Sequence, residues 1–321
     1  MDTLLEQINS SRTIRKITLN TYKNTLNRLA TKLDVGFSMD MFETKKTEIL
    51  EYLNTLSNSV KKVTLSSIMV AISPEKNHPL EEYSSLYDTL KLMLNKENEV
   101  YLESVANNKK SDKDTANWTT INELHKVRER LLKLIKAKGY NFKKDKGIES
   151  KKDFFLTQKY LIASLYTLLP PRRLIYADMT IVTKKQFDAL TEKEKEDNAY
   201  LVNVNKSRKY LFYGKESDKS STEEPVKIDV PKSMNNLINF WTTINKTQHL
   251  LLNNQGNKLS KNNLSKEVRS IFSNKTQKVS VNLIRKIYVS ERFSQVNQEK
   301  KEIAKQMNHS VFVSDQFYAK K

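Results

Sequence analysis

Apolar residues recur every three to four positions over the first hundred residues. Leu19, Tyr22, Leu26, Leu29, Ala30 and Leu33 follow the period of an amphipathic helix, with Thr18 as its N-cap and Gly36 as its terminator. Ile49, Leu50, Leu53 and Leu56 form a second stripe. Leu65, Ile68, Met69 and Ile72 form a third, closed near Pro74, and Tyr83, Leu86, Tyr87, Leu90 and Leu94 a fourth beyond Pro79. This spacing predicts a helical bundle over residues 1–108. Residues 109–117 are polar, charged and aperiodic, and are the expected linker.

A second domain is expected over 118–321. Thr120 and Glu123 have the spacing of a capping box, ahead of a helix predicted to bury Ile121, Leu124, Val127, Leu131 and Leu134. A charged loop over 143–152 precedes a helix over 154–169, which stops at Pro170-Pro171 for want of an amide. Between Tyr200 and Pro231 the period falls towards two. Residues 200–204, 209–213 and 226–230 read as three strands of a small antiparallel sheet, and the chain is helical again beyond Pro231. The fold class is therefore mainly α: a helical N-terminal domain, then a mostly helical domain carrying that sheet.

Charge divides the chain in the same place. Residues 1–112 hold 15 Lys and Arg against 15 Asp and Glu, so the whole formal charge of +19 lies in 113–321. A polyanion, nucleic acid first, would be gripped mainly by the second domain. There is no cysteine, the four histidines (His78, His125, His249, His309) lack ligand spacing, and five glycines build no phosphate-cradling loop. Neither metal nor nucleotide cofactor is expected. No apolar run approaches membrane-spanning length and the N-terminus has no signal-peptide pattern, so the expectation is a soluble intracellular protein without a membrane partner.

Four segments carry candidate chemistry. In Leu169-Pro170-Pro171-Arg172-Arg173-Leu174-Ile175-Tyr176, the prolines end one helix and Pro171 suits the first turn of the next. An arginine there would add its charge to a helix N-terminus, a natural phosphate site. In Ser280-Val281-Asn282-Leu283-Ile284-Arg285-Lys286-Ile287-Tyr288, Arg285 borders the apolar stripe of Ile284, Ile287 and Tyr288. Lys215 follows a strand at Tyr213-Gly214, at the tip of a hairpin. His309 and Tyr318 stand nine residues apart near the C-terminus. At about 100° per residue, one unbroken helix would set them on opposite faces, so sharing a site needs a helix start between them, and Ser310 is a suitable cap.

Together these segments resemble the tyrosine recombinase (phage integrase) family, in the form LLPPRR…Y found in large DNA viruses and mobile elements. The resemblance covers most of the chain and keeps the family's order: arginine, hairpin lysine, arginine in a helix, then His and Tyr. By the spacing to Met179, Arg172 matches the first catalytic arginine better than Arg173 does. Lys215 matches the lysine, with Lys219 as the alternative, Arg285 the second arginine, His309 the histidine and Tyr318 the nucleophile. The resemblance implies site-specific strand exchange (integration, excision or resolution) through a 3′-phosphotyrosyl intermediate, without metal or ATP, by a homotetramer on double-stranded DNA. The alternatives are type IB topoisomerase-like relaxation and a catalytically impaired DNA-binding protein. Further DNA contacts are expected from Arg173 and Lys286, and from Arg12, Arg15, Lys16, Lys61 and Lys62. Three departures stand out. Ile175 replaces the usual acidic residue after the first arginine, Asn282 replaces the usual His or Lys before the second, and three residues follow Tyr318 where relatives continue into a segment that docks on a neighbour.

Overall fold

In a computed structural model the chain divides into two compact units, residues 1–109 and 110–321. The structure describes residues 6, 8, 10–12, 14, 16–106, 110–143, 147–148, 150–215 and 224–307. The first unit contains α1 (Lys16–Lys32), α2 (Met41–Thr44), α3 (Lys46–Thr55), α4 (Asn58–Ile72) and α5 (Ser84–Ala106). The predicted stripes become its core, where Leu26, Leu29, Ile49, Leu53, Leu65, Ile68, Leu86 and Leu90 are all buried.

Both expected ends of the first helix are corrected. It starts at Lys16, so Thr18 lies inside it, and Asp34 rather than Gly36 terminates it. Asp34 takes a left-handed φ of 54°, its N–H donates to the Thr31 carbonyl, and the Val35 N–H donates to the Ala30 carbonyl. That is a Schellman closure with aspartate in the place glycine usually fills. The single-turn α2 escapes periodicity because its four residues barely exceed one period and so show no repeat, yet Met41 and Phe42 are fully buried.

The second unit contains α6 (Asp112–Asn117), α7 (Ile121–Ala137), α8 (Lys151–Thr167), β1 (Thr180–Thr183), α9 (Lys184–Asp188), α10 (Glu192–Asp197), β2 (Ala199–Asn203), β3 (Lys209–Tyr213), β4 (Val226–Asp229), α11 (Lys232–Ile244), α12 (Lys261–Phe272), α13 (Val281–Arg292) and α14 (Ser294–Gln306). Residues 112–117, expected as linker, are thus a helix of this unit. Ser111 caps it, and it is fastened to distant sequence: Asp114 to Lys286 at 2.5 Å, Asn117 Oδ1 to the Lys278 N–H at 2.6 Å, and the Trp118 carbonyl to Gln277 at 2.8 Å. Half of the expected capping box forms, with Thr120 Oγ1 accepting from the Glu123 N–H. The Glu123 carboxylate pairs with Lys126, and Glu291 accepts the Ile121 N–H. Ile135, not Leu134, turns inward: Leu134 is 55% exposed.

The sheet has four strands in the order β1-β2-β3-β4, not three, and only two of its three pairings are antiparallel. β1 runs parallel to β2, as a strand reached through a helical crossover can. Four residues of Thr-Ile-Val-Thr give too short an alternation to register as a strand. The crossover helices α9 and α10 also went unread, although Thr183/Gln186 and Thr191/Glu194 are complete capping boxes. Both faces of the sheet are covered. Leu201 and Leu211 join the main core, while Tyr200, Val202 and Tyr210 pack with Phe187 of α9. The outer edge of β1 is closed by residues 248–250, through Ile181 N–H to the Gln248 carbonyl and Leu250 N–H to the Met179 carbonyl. No helix among the described residues is long and apolar enough to cross a membrane.

Candidate active site

The segment after α8 is built around tyrosines. α8 ends at Thr167, and no α-helix starts at Pro171; a four-residue 3₁₀ turn, Leu174–Ala177, follows instead. The arginines therefore do not sit at an α-helix N-terminus, Arg173 preceding only that 3₁₀ turn, and another device holds them. The Tyr166 hydroxyl donates to the Arg173 carbonyl at 2.8 Å, and the Tyr166 and Tyr176 rings meet edge to face at 5.3 Å. Tyr176 is fully buried, and its hydroxyl donates to the Leu165 carbonyl at 3.5 Å. Burial, then the neighbouring Tyr213, pushes its pKa well above the ordinary phenol value, so it stays a neutral donor.

Arg172 lies over the Tyr213 ring, with the guanidinium carbon 4.2 Å from the ring centroid. The ring attracts the cation electrostatically, while the Nε of Arg172 is buried with no hydrogen-bond acceptor among the described residues and Ile175 is buried in the core. Tyr213 ends β3, two residues before Lys215. One sequence-predicted site residue thus rests on the last residue of β3, and a second, Lys215, follows that residue by two positions. Lys215 Nζ donates to Glu196 Oε1 at 2.7 Å, and this hydrogen bond, followed by the carboxylate's charge, raises the lysine pKa above its ordinary value.

Arg173 diverges from Arg172. It is exposed and lines an open cleft of about 920 Å³ together with Asn282, Arg269, Lys278 and Lys113. α6, the 173–175 turn, α12 and the first turn of α13 wall this cleft. No hydrogen bond or ion pair within the described residues engages the side-chain cations of Arg173, Arg269, Lys278 or Lys113. Lys261, also on the wall, pairs with Asp178. Asn282 and Arg285 are three residues apart on α13 and so share a side of it. Arg285 is half-buried, with no hydrogen bond or ion pair within the described residues, and it does not line the cleft.

The remaining candidates divide. Lys286 is held by Asp114. In the first unit, Lys61 pairs with Glu97 at 3.0 Å and Lys62 lies over Tyr101. The Arg12 guanidinium donates to the carbonyls of Ser73, Pro74 and Glu75, closing the end of α4 rather than facing a ligand. Lys16 is exposed. Arg15, Lys219, His309 and Tyr318 lie outside the described residues. No group of three or more His, Cys, Asp or Glu among the described residues is arranged to hold a metal ion.

Sequence reasoning missed Glu196, Arg269 and Lys278. The capping box of α10 announces the helix that bears Glu196, while Arg269 lies on the polar side of the stripe Leu264, Val268 and Phe272. Comparison with protein-family models and with curated proteins finds no match.

Proposed function

We propose that the chain is a DNA strand-exchange enzyme of the tyrosine recombinase kind, working on double-stranded DNA as a tetramer. The observation that carries this reading is that Arg172 rests on Tyr213 at the end of β3, two residues before Lys215, while the adjacent Arg173 lines a cationic cleft with Asn282. A phosphoryl transfer needs fixed cations around its non-bridging oxygens and a proton donor at the leaving oxygen. Arginine suits the first task because its planar fork is always charged and matches phosphate, and lysine suits the second as a mobile ammonium. The unpaired cations of the cleft would take neighbouring phosphates of the same duplex.

In the reaction, the Tyr318 oxygen bonds to phosphorus and the bond from phosphorus to the 5′-oxygen breaks. Arg172 and Arg285 hold the non-bridging oxygens as negative charge develops, with Asn282 adding a neutral hydrogen bond. Lys215 gives the 5′-oxygen its proton, while the tyrosine's proton is lost to solvent with His309 assisting. The 3′-phosphotyrosyl ester conserves the bond energy, so a 5′-hydroxyl from another duplex can reverse the attack and complete the exchange. No step calls on ATP or a metal ion.

A library of nicked duplexes with randomised cores tests the reading. Covalent adducts are trapped on denaturing gels and sequenced. The expected result is an adduct that Tyr318→Phe abolishes, followed by joining of two duplexes that carry the selected core. An adduct that only relaxes supercoils makes the protein a topoisomerase. Binding without any adduct makes it a DNA-binding protein that has lost catalysis.

A further inference from the structure

The short helix α10 does more than cross from β1 to β2, because Lys215 is mounted on it. A Cβ at Gly214 would come within 2.5 Å of the Glu196 carbonyl carbon, and closer still to the carbonyl oxygens of Lys195 and Glu196. The Gly214 N–H donates to the Asn198 carbonyl at 2.9 Å. The residue before the lysine is therefore fixed against the helix whose Glu196 accepts from the lysine itself. α10 is anchored in turn. Its capping box is complete, and Asn198 Nδ2 and the Tyr200 hydroxyl both donate to the Glu194 carbonyl, at 2.9 and 3.1 Å.

An ammonium has three N–H donors, so one committed to Glu196 leaves two for a leaving oxygen. That commitment also removes, before DNA arrives, rotamer freedom that an unrestrained lysine would lose on reaching the phosphate. We propose that Glu196 is the positioning residue of Lys215, orienting its ammonium towards the 5′-oxygen of a DNA phosphodiester. The proposal rests on the strand-exchange reading above. As the bond to the 5′-oxygen breaks, one Lys215 proton passes to that oxygen, and the amine regains a proton from water while its bond to Glu196 persists. Glu196 also keeps the ammonium charged, first by the hydrogen bond and then by its charge. Glu224 adds to this, against a small opposing effect of burial.

Two measurements test it. Without DNA, competitive acetylation by trace acetic anhydride, read by mass spectrometry from about pH 8 to 11, compares Lys215 with the exposed Lys185 and Lys193. Lys215 should lag in the wild type and catch up in Glu196→Gln. In single-turnover cleavage, Glu196→Ala should slow release of the 5′-hydroxyl by up to about fivefold, the range of an exposed ion pair. Glu196→Gln, which keeps an acceptor, should recover part of the loss and move the alkaline limb of the pH profile down. Neither variant should slow a duplex with sulfur as the bridging 5′ atom, since a thiolate leaves without a proton, and the loss should vanish in a Lys215→Met background.

Equal slowing of the oxygen and sulfur substrates, or Lys215 labelling indifferent to Glu196, overturns the proposal. A wild type that forms no adduct while labelling still follows Glu196 overturns the strand-exchange reading, and reduces the pair to a structural mount.

Discussion

Replacing Gly214 by alanine adds one methyl group where the backbone leaves no room. The new Cβ would lie within 2.5 Å of the Glu196 carbonyl carbon, against an ordinary carbon–carbon separation of about 3.5–4 Å, so the backbones must part by roughly 1 Å. Neither side can yield by a side-chain rotation, because every atom in the clash is main chain. Overpacking of this kind costs about 1–3 kcal/mol, and stretching the Gly214 N–H bond to Asn198 adds about 1 kcal/mol. For a unit of this size about 3 °C of melting temperature is lost per kcal/mol, so the second unit should melt roughly 6–12 °C lower. Circular dichroism melts of the full chain would read the change. Gly147→Ala serves as the control, because a Cβ at position 147 meets nothing within 4 Å. A Gly214→Ala melt within about 1 °C of that control would show that α10 and the end of β3 are not locked together, and the account of Lys215's mount would fall with it.

Three other outcomes are expected. Asp178 is drawn in two directions: burial raises its pKa, but hydrogen bonds from Lys258 and Lys261 outweigh burial and hold it below the ordinary carboxylate value. A depressed carboxylate stabilises above its unfolded pKa and loses that contribution as pH falls through the folded one. Asp178→Asn should therefore lower the melting temperature at neutral pH, with the gap closing as pH falls below the ordinary aspartate pKa of about 4. Arg12→Lys cannot reproduce a fork that reaches three carbonyls, so the first unit should lose about 2 kcal/mol in urea titrations while the salt dependence of DNA binding is unchanged. Arg269→Gln combined with Lys278→Gln removes two unpaired cations from the cleft. Binding of uncleavable duplex by the Tyr318→Phe chain should then lose about 1.8 from the slope of log affinity against log salt. An unchanged slope would mean that DNA lies elsewhere.

The helical stripes were legible because burial and period coincide: Leu26, Leu29, Leu65 and Ile68 are apolar at helical spacing and fully inside. Legibility failed where an element is too short for its period to repeat clearly, as with the four-residue α2 and β1. β2 was read within one residue of its bounds, although it is apolar and buried almost throughout. The candidate site was read as residue types and not as placements. Arg172 and Arg173 are adjacent in sequence and look interchangeable, yet one rests on Tyr213 and the other faces the cleft. What separates them is Tyr166 holding the Arg173 carbonyl, a contact that no spacing rule encodes. Glu196 was invisible for a related reason, since its importance lies in a neighbour 19 residues away.

α6 has a consequence for how the protein is made. Its anchors are Lys286, Lys278 and Gln277, and the Asp114–Lys286 pair spans 172 residues. At about 5–20 residues per second, a ribosome synthesises that interval in roughly 9–34 s. Through all of it, a six-residue helix too short to persist alone waits for its partner. α6 can therefore settle only after nearly the whole unit has emerged, which makes that wall of the cleft the last to be assembled on the nascent chain.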